Sequence, residues 1–253
     1  MRPLLLLLAL CLPPSAEAGE IIGGREARPH SRPYMAYLEF EVRRDRKRCG
    51  GFLIREDFVL TAAHCSGGSM NVTLGAHNLK EQEKTRQVFA VRTAIPHPDY
   101  NAKDHSNDIM LLQLQTKAKK TAAVKPLRLP KGKSRAKPGQ RCYVAGWGWT
   151  APRGNPSKTL QEVEMTVQED RECESSLRGY YNNASEICVG DPTSRSSSFR
   201  GDSGGPLVCN NVAQGIISYG RANGTPPRAC TKVSKFLHWI KENMKRYEPQ
   251  EAD

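Results

Sequence analysis

The chain has 253 residues, 38% of them hydrophobic, and its 38 Lys and Arg outnumber 26 Asp and Glu to give a formal charge of +12. That length and apolar content suffice for a sizeable core, in one large all-β unit or two small domains. Past residue 20 no segment is apolar for long enough to span a bilayer as a helix, which argues against an integral membrane protein.

The opening "MRPLLLLLALCLPPSAEAGE" joins a basic residue, a short leucine-rich run and small residues, the pattern of a secretory signal peptide rather than a membrane anchor. Residues 1–18 are read as that signal and 19–20 as a separate dipeptide, leaving a mature body of roughly 230 residues. Short apolar segments bounded by Gly, Pro and Asn then recur: "FVLTAA", "QVFAVRTAI", "DIMLLQL", "CYVAGW", "GIISYG". In "LQEVEMTVQ", Val163, Met165 and Val167 alternate with Glu162, Glu164 and Thr166, the period-two pattern of a half-buried strand. Many short strands separated by turn signals predict an all-β sandwich or a pair of barrels. One helix closes the body. Ser234 is its expected N-cap, and Phe236, Leu237, Ile240 and Met244 form an apolar stripe opposite basic residues. The tail 248–253 is expected to be disordered.

Cysteine usage fits an oxidising route. Cys11 leaves with the signal, and the body keeps Cys49, Cys65, Cys142, Cys173, Cys188, Cys209 and Cys230. Seven is odd, so one thiol is left over, and spacing alone does not choose the pairing. No CxxC or HxxxH spacing is present, so neither a metal nor another cofactor is expected. Acceptor patterns for N-glycans stand at Asn71, Asn183 and Asn223, while Pro156 disqualifies Asn155. The runs "RRDRKR" and "KAKK" favour polyanions. For a secreted chain the expected one is sulfated polysaccharide, an acidic proteoglycan rather than nucleic acid, set against a merely solvated basic face.

The segment "FRGDSGGPLVC", residues 199–209, sets Ser203 between an aspartate and two glycines. It is either a tight surface turn or an exposed nucleophile whose neighbouring N–H groups face a developing oxyanion. Gly201 to Gly205 satisfies G-x-S-x-G, but that elbow needs its acid and then its histidine after the serine, and only His238 follows. Upstream stand "LTAAHC" with His64 and "SNDIMLLQL" with Asp108, so the chain order is His, Asp, Ser. Each taken alone has a plainer reading: His64 as a packed core residue, Asp108 as a strand cap. His30, His77, His97 and His105 have no such company in the sequence.

"IIGG" at 21, "LTAAHC", "NDIMLL", "GDSGGPLVC" and "SYG" at 218 together resemble the trypsin/chymotrypsin family of serine proteases, in order and over the whole body. The resemblance implies two six-stranded antiparallel β-barrels over residues 21–247, followed by a C-terminal helix. It implies Ser203 as nucleophile, His64 as base then acid, Asp108 as the group orienting His64, and the Gly201 and Ser203 amides as oxyanion hole. It pairs Cys49 with Cys65, Cys142 with Cys209 and Cys173 with Cys188, leaving Cys230 free. Phe199 stands where many relatives carry a cysteine. It also implies cleavage between Glu20 and Ile21, after which the new ammonium of Ile21 pairs with Asp202 and shapes the oxyanion hole.

Within the family, "NVTLGAHNLKEQE", "IPHPDYN", "ICVGD" and "PPRACTKVS" resemble the granzyme branch. That likeness implies trimming by a dipeptidyl peptidase, storage in cytolytic granules, delivery assisted by perforin, and substrates that promote apoptosis. It aims Arg228 into the primary pocket above a neutral Ser197 and so implies cleavage after aspartate, against a chymase-like pocket if Arg228 is exposed. Arg200 and Arg221 would favour acidic residues elsewhere in the substrate, and the strand Ser218, Tyr219, Gly220 would bind its backbone. A cationic defence protein without activity is the reading from another class; it predicts a damaged triad.

Overall fold

The structure, a computed structural model, describes residues 21–132, 135–151, 154–194 and 196–247. The segments read as a signal peptide (1–18), a dipeptide (19–20) and a tail (248–253) lie outside the described residues. The strands are β1 (Arg25–Glu26), β2 (Met35–Val42), β3 (Asp45–Arg55), β4 (Phe58–Thr61), β5 (Met70–Leu74), β6 (Gln87–Pro96), β7 (Met110–Leu114), β8 (Arg141–Gly146), β9 (Gln161–Thr166), β10 (Glu186–Val189), β11 (Pro206–Cys209), β12 (Val212–Gly220) and β13 (Arg228–Lys232). Two helices accompany them, α1 (Asp170–Ser176) and α2 (Leu237–Arg246). No described helix is long and apolar enough to cross a membrane.

In the first half, β2-β3-β4-β7-β6-β5 close into an antiparallel barrel. The basic run of β3 is exposed, and only its stretch 49–53 is buried. β7, "MLLQL", is buried at every position. It faces the barrel interior on one side and is covered on the other by the C-terminal segment, where Gln113 Nε2 donates to Tyr247 O at 2.9 Å. A strand enclosed on both faces needs no polar alternation.

The second half is a seven-stranded sheet in the order β1-β9-β8-β11-β12-β13-β10. Six of its strands are those the resemblance implies for a second barrel, with the two-residue β1 added at the edge of β9. The ends approach closure through one bridge, Val167 to Val189. The alternation read in the sequence holds here: Val163, Met165 and Val167 are buried with Val144, Ile187, Leu207 and Ile217, while Glu164 is exposed. Glu162 departs from it. The residue is buried, and Arg25 and Arg32 both meet its carboxylate, at 3.0 and 3.1 Å.

The helix stripe packs as expected. Phe236 and Ile240 are buried in the core of the first barrel with Leu237 and Met244 against it. Ser234 is not the N-cap: the chain passes from β13 straight into a 3-10 turn, Val233–Phe236, and Phe236 occupies the cap without a side-chain bond. Three disulfides, Cys49–Cys65, Cys142–Cys209 and Cys173–Cys188, leave Cys230 free and buried, as the resemblance implies.

Candidate active site

His64 lies in a single 3-10 turn, Ala63–Cys65, directly after β4, and Asp108 lies just before β7, so the β4–β7 pairing brings them together. Asp108 is fully buried. Its Oδ2 sits 2.7 Å from His64 Nδ1, and its Oδ1 accepts the His64 backbone N–H at 2.9 Å. A carboxylate can only accept, so it fixes the proton on Nδ1 and leaves the lone pair of His64 on Nε2. The second half completes the cage. Ser218 Oγ donates to Asp108 Oδ2, and Thr231 Oγ1 donates to Asp108 O at 2.8 Å. Burial opposes ionisation of Asp108, yet the His64 and Ser218 bonds win and hold its carboxyl below the ordinary range.

Ser203 is half-buried between the halves. Its carbonyl accepts the Gly50 N–H at 2.8 Å. Gly50 follows Cys49, whose disulfide partner Cys65 follows His64, so the serine backbone is tied to the histidine turn. Among the described residues, the N–H groups of Asp202, Gly204 and Gly205 donate to Phe199, Ile217 and Asp202 carbonyls, whereas those of Gly201 and Ser203 have no acceptor. The glycines are required by geometry. Gly204 has φ +83°, and a Cβ there would lie 2.1 Å from Thr61 Oγ1. An amide pair left without acceptors beside a serine is what an oxyanion hole needs.

Asp202 is fully buried and accepts the N–H groups of Gly148 at 3.0 Å and Phe199 at 2.8 Å. Burial outweighs those bonds and pushes its carboxyl up to about 6. Ile21 is buried in the core of the same sheet. In the full-length chain its nitrogen is acylated by Glu20, so no ammonium is there to meet Asp202.

Arg228 begins β13 and is only 7% exposed. Nη1 donates to Arg221 O at 3.3 Å, and Nε is buried with no partner among the described residues. A Cβ on Gly220 would lie 2.8 Å from Arg228 Cζ, so the guanidinium rests directly on the end of β12. Burial lowers its pKa, with Asp202 among the opposing charges. Ser197 is also buried, but its hydroxyl donates to Ser198 O at 3.0 Å rather than to a charged group. β11 pairs with β12 only as far as Ile216, so Ser218, Tyr219 and Gly220 have β13 on one edge and no strand on the other among the described residues. Arg200 and Arg221 are exposed, with the Arg200 guanidinium 5.9 Å from the Trp149 ring.

Further residues beside the site, His105 and Glu186 among them, carry no signal in the sequence. Beside β12 lies a cleft of about 590 Å³ lined in part by His105, Leu177, Tyr180 and Tyr219. His105 stacks on Tyr219, ring centroids 5.0 Å apart, and stands edge-on to His64 at 6.1 Å. Tyr219 Oη in turn donates to buried Glu186 at 3.0 Å, and burial pushes the Glu186 carboxyl up to about 7.

Comparison with known proteins agrees with this geometry. The Trypsin family model matches residues 21–240. The chain belongs to the trypsin family. It is 70% identical over 247 residues to granzyme B of Homo sapiens, covering 98% of this chain and 100% of that one. Granzyme B of Rattus norvegicus is 64% identical over 247 residues, with 97% and 100% covered. The solved structure of GrC superposes with a TM-score of 0.86 at 58% identity, covering 89% of this chain and all of that one. This trypsin-family member is therefore a serine protease, a hydrolase acting on protein substrates.

Proposed function

We propose that the chain is a granule-stored serine endopeptidase of cytotoxic lymphocytes that cleaves after aspartate and promotes apoptosis of target cells. In this reading Ser203 Oγ attacks the scissile carbonyl while His64 Nε2 takes its proton, later returning it to the leaving amine. Asp108 keeps His64 in the required tautomer and stabilises the imidazolium. The Gly201 and Ser203 amides receive the oxyanion, each such donor contributing about 3 kcal/mol of transition-state stabilisation. The substrate adds a strand to the free edge of Ser218, Tyr219 and Gly220.

The observation that carries the aspartate preference is the buried Arg228 guanidinium with its unpaired Nε. An orphaned buried donor costs roughly 1–3 kcal/mol, and more when charged. A carboxylate entering from the substrate satisfies it through charge-assisted, planar bonds. A lysine meets like charge, and an apolar side chain leaves the guanidinium unpaired. The neutral, already bonded Ser197 offers no competing acid.

Activation follows from Asp202. Removal of residues 19–20 frees the Ile21 ammonium, which joins the buried carboxylate and fixes the loop bearing Gly201 and Ser203. A dipeptidyl peptidase suits that two-residue segment. Likeness to granzyme B supports cytolytic-granule storage on acidic proteoglycan, entry to cells assisted by perforin, and secretion through the signal peptide, and the +12 charge fits the first. Asn71, Asn183 and Asn223 are exposed, as glycan acceptors must be. A peptide-library cleavage profile of the processed enzyme beside Arg228→Gly tests the reading. Aspartate should dominate in the first and vanish from the second; an unchanged preference refutes it.

A further inference from the structure

No zinc-ligand spacing runs along the chain, yet the fold gathers a ligand set from separate positions. One ring nitrogen each of His64 and His105 and one carboxylate oxygen of Asp108 all lie within 4.8 Å of one another. We propose that these three residues form an inhibitory site for a transition-metal cation of the zinc type, which silences the protease by capturing His64.

Two observations besides proximity point to a ligand. His105 Nδ1 is buried and has no hydrogen-bond partner among the described residues, so a donor atom faces inward with nothing to meet. The His105 ring is held in place by its stack on Tyr219, with 18° between the ring planes, and by its edge-on approach to His64. Two imidazoles and a carboxylate are a donor set that zinc accepts with water in the fourth place. Bonds of about 2.0–2.1 Å require the three atoms to draw together by roughly an ångström, within reach of a side-chain rotation. Calcium and magnesium prefer oxygen cages and gain little here. With a cation on His64, the imidazole cannot receive the serine proton.

The inhibition, though not the binding, rests on His64 being the general base, so the two are measured separately. Zinc chloride alone is titrated into the processed Ser203→Ala protein by calorimetry, with and without His105→Phe. In parallel, the rate at which a serine-directed phosphonate labels the processed enzyme is read with and without zinc, for the parent, His105→Phe and His105→Asn. The expected results are a one-to-one zinc site in the Ser203→Ala parent and affinity reduced about 10–100-fold without His105. Labelling of the parent should slow at least roughly tenfold with zinc, reverse with a chelator and be indifferent to calcium. Each variant's own ratio with and without zinc should be near unity. A parent that binds no zinc, or His105 variants that bind it equally, overturns the site. Zinc bound through His105 with labelling undiminished overturns the inhibition and, with it, the role given to His64.

Discussion

Asp108 of the first barrel and Asp202 of the second sheet are both fully buried carboxylates, yet they are treated in opposite ways. Asp108 meets His64 twice and Ser218 once, and is held ionised. Asp202 has two backbone N–H donors and no side-chain cation hydrogen-bonded to it among the described residues, and its carboxyl rises to about 6. The second sheet repeats this with Arg228, whose Nε is unpaired, and with Glu186, whose carboxyl rises to about 7. Asp108 is therefore fully partnered by groups of this chain. Asp202 and Arg228 lack such side-chain partners among the described residues; in the proposed function an ammonium arrives for Asp202 and a substrate carboxylate for Arg228. An uncompensated buried charge is costly enough that its partner binds with corresponding preference.

The largest test concerns the serine and histidine that face each other from the two halves. Ser203→Ala or His64→Ala should lower kcat by on the order of 10⁶, as for residues acting as one unit, measured on a peptide ester with folding checked by circular dichroism. Arg228→Gly should lower kcat/KM for aspartyl substrates about 10⁴-fold while apolar residues gain, because only the stored charge is removed. An enzyme retaining Glu20, or the processed Asp202→Asn variant, should lose about 10²–10³ in kcat, the scale of a misshapen oxyanion hole. If the Glu20-retaining form is fully active, Asp202 is not a waiting partner and the contrast between the halves fails.

The smallest effects lie in stability against pH. Asp202 and Glu186 both have folded pKa values above their unfolded ones, so the folded state holds protons that the unfolded state has released. Their contribution is fully present below about pH 4 and is lost as pH rises through about 6 for Asp202 and about 7 for Glu186. Thermal melts of the Glu20-retaining chain should therefore show stability falling across that window. Glu186→Gln should flatten the upper part, by about 3 kcal/mol at pH 8. After processing, the lower part should reverse, because the Ile21 ammonium now favours ionised Asp202. Equal pH profiles before and after processing would mean that no such pair forms.

The sequence carried the residue types of the site because each sits in a compact run: "LTAAHC", "NDIMLL", "GDSGGPLVC". It carried the strand alternation of β9 for the same reason. What it hid depends on distance along the chain. Ser218, read only as part of the substrate strand, turns its hydroxyl to Asp108 across 110 residues, and Thr231 supports the same aspartate across 123. His105 is only three residues before Asp108, but its partners Tyr219 and His64 come from elsewhere, so nothing local marked it. Glu162 read as the solvent side of a strand because the two arginines that cover it precede it by more than a hundred positions. The helix cap was misread because Ser234 has the right side chain in a turn that the exit from β13 had already fixed.

Each end of the described residues is lodged in the opposite half. β1, from the beginning of the described chain, adds to the edge of the second sheet, while α2, from its end, fills the core of the first barrel. The two halves thus hold each other like crossed arms, and a single cut between β7 and β8 would leave both fragments clasped. Neither could be made alone without an uncovered greasy flank.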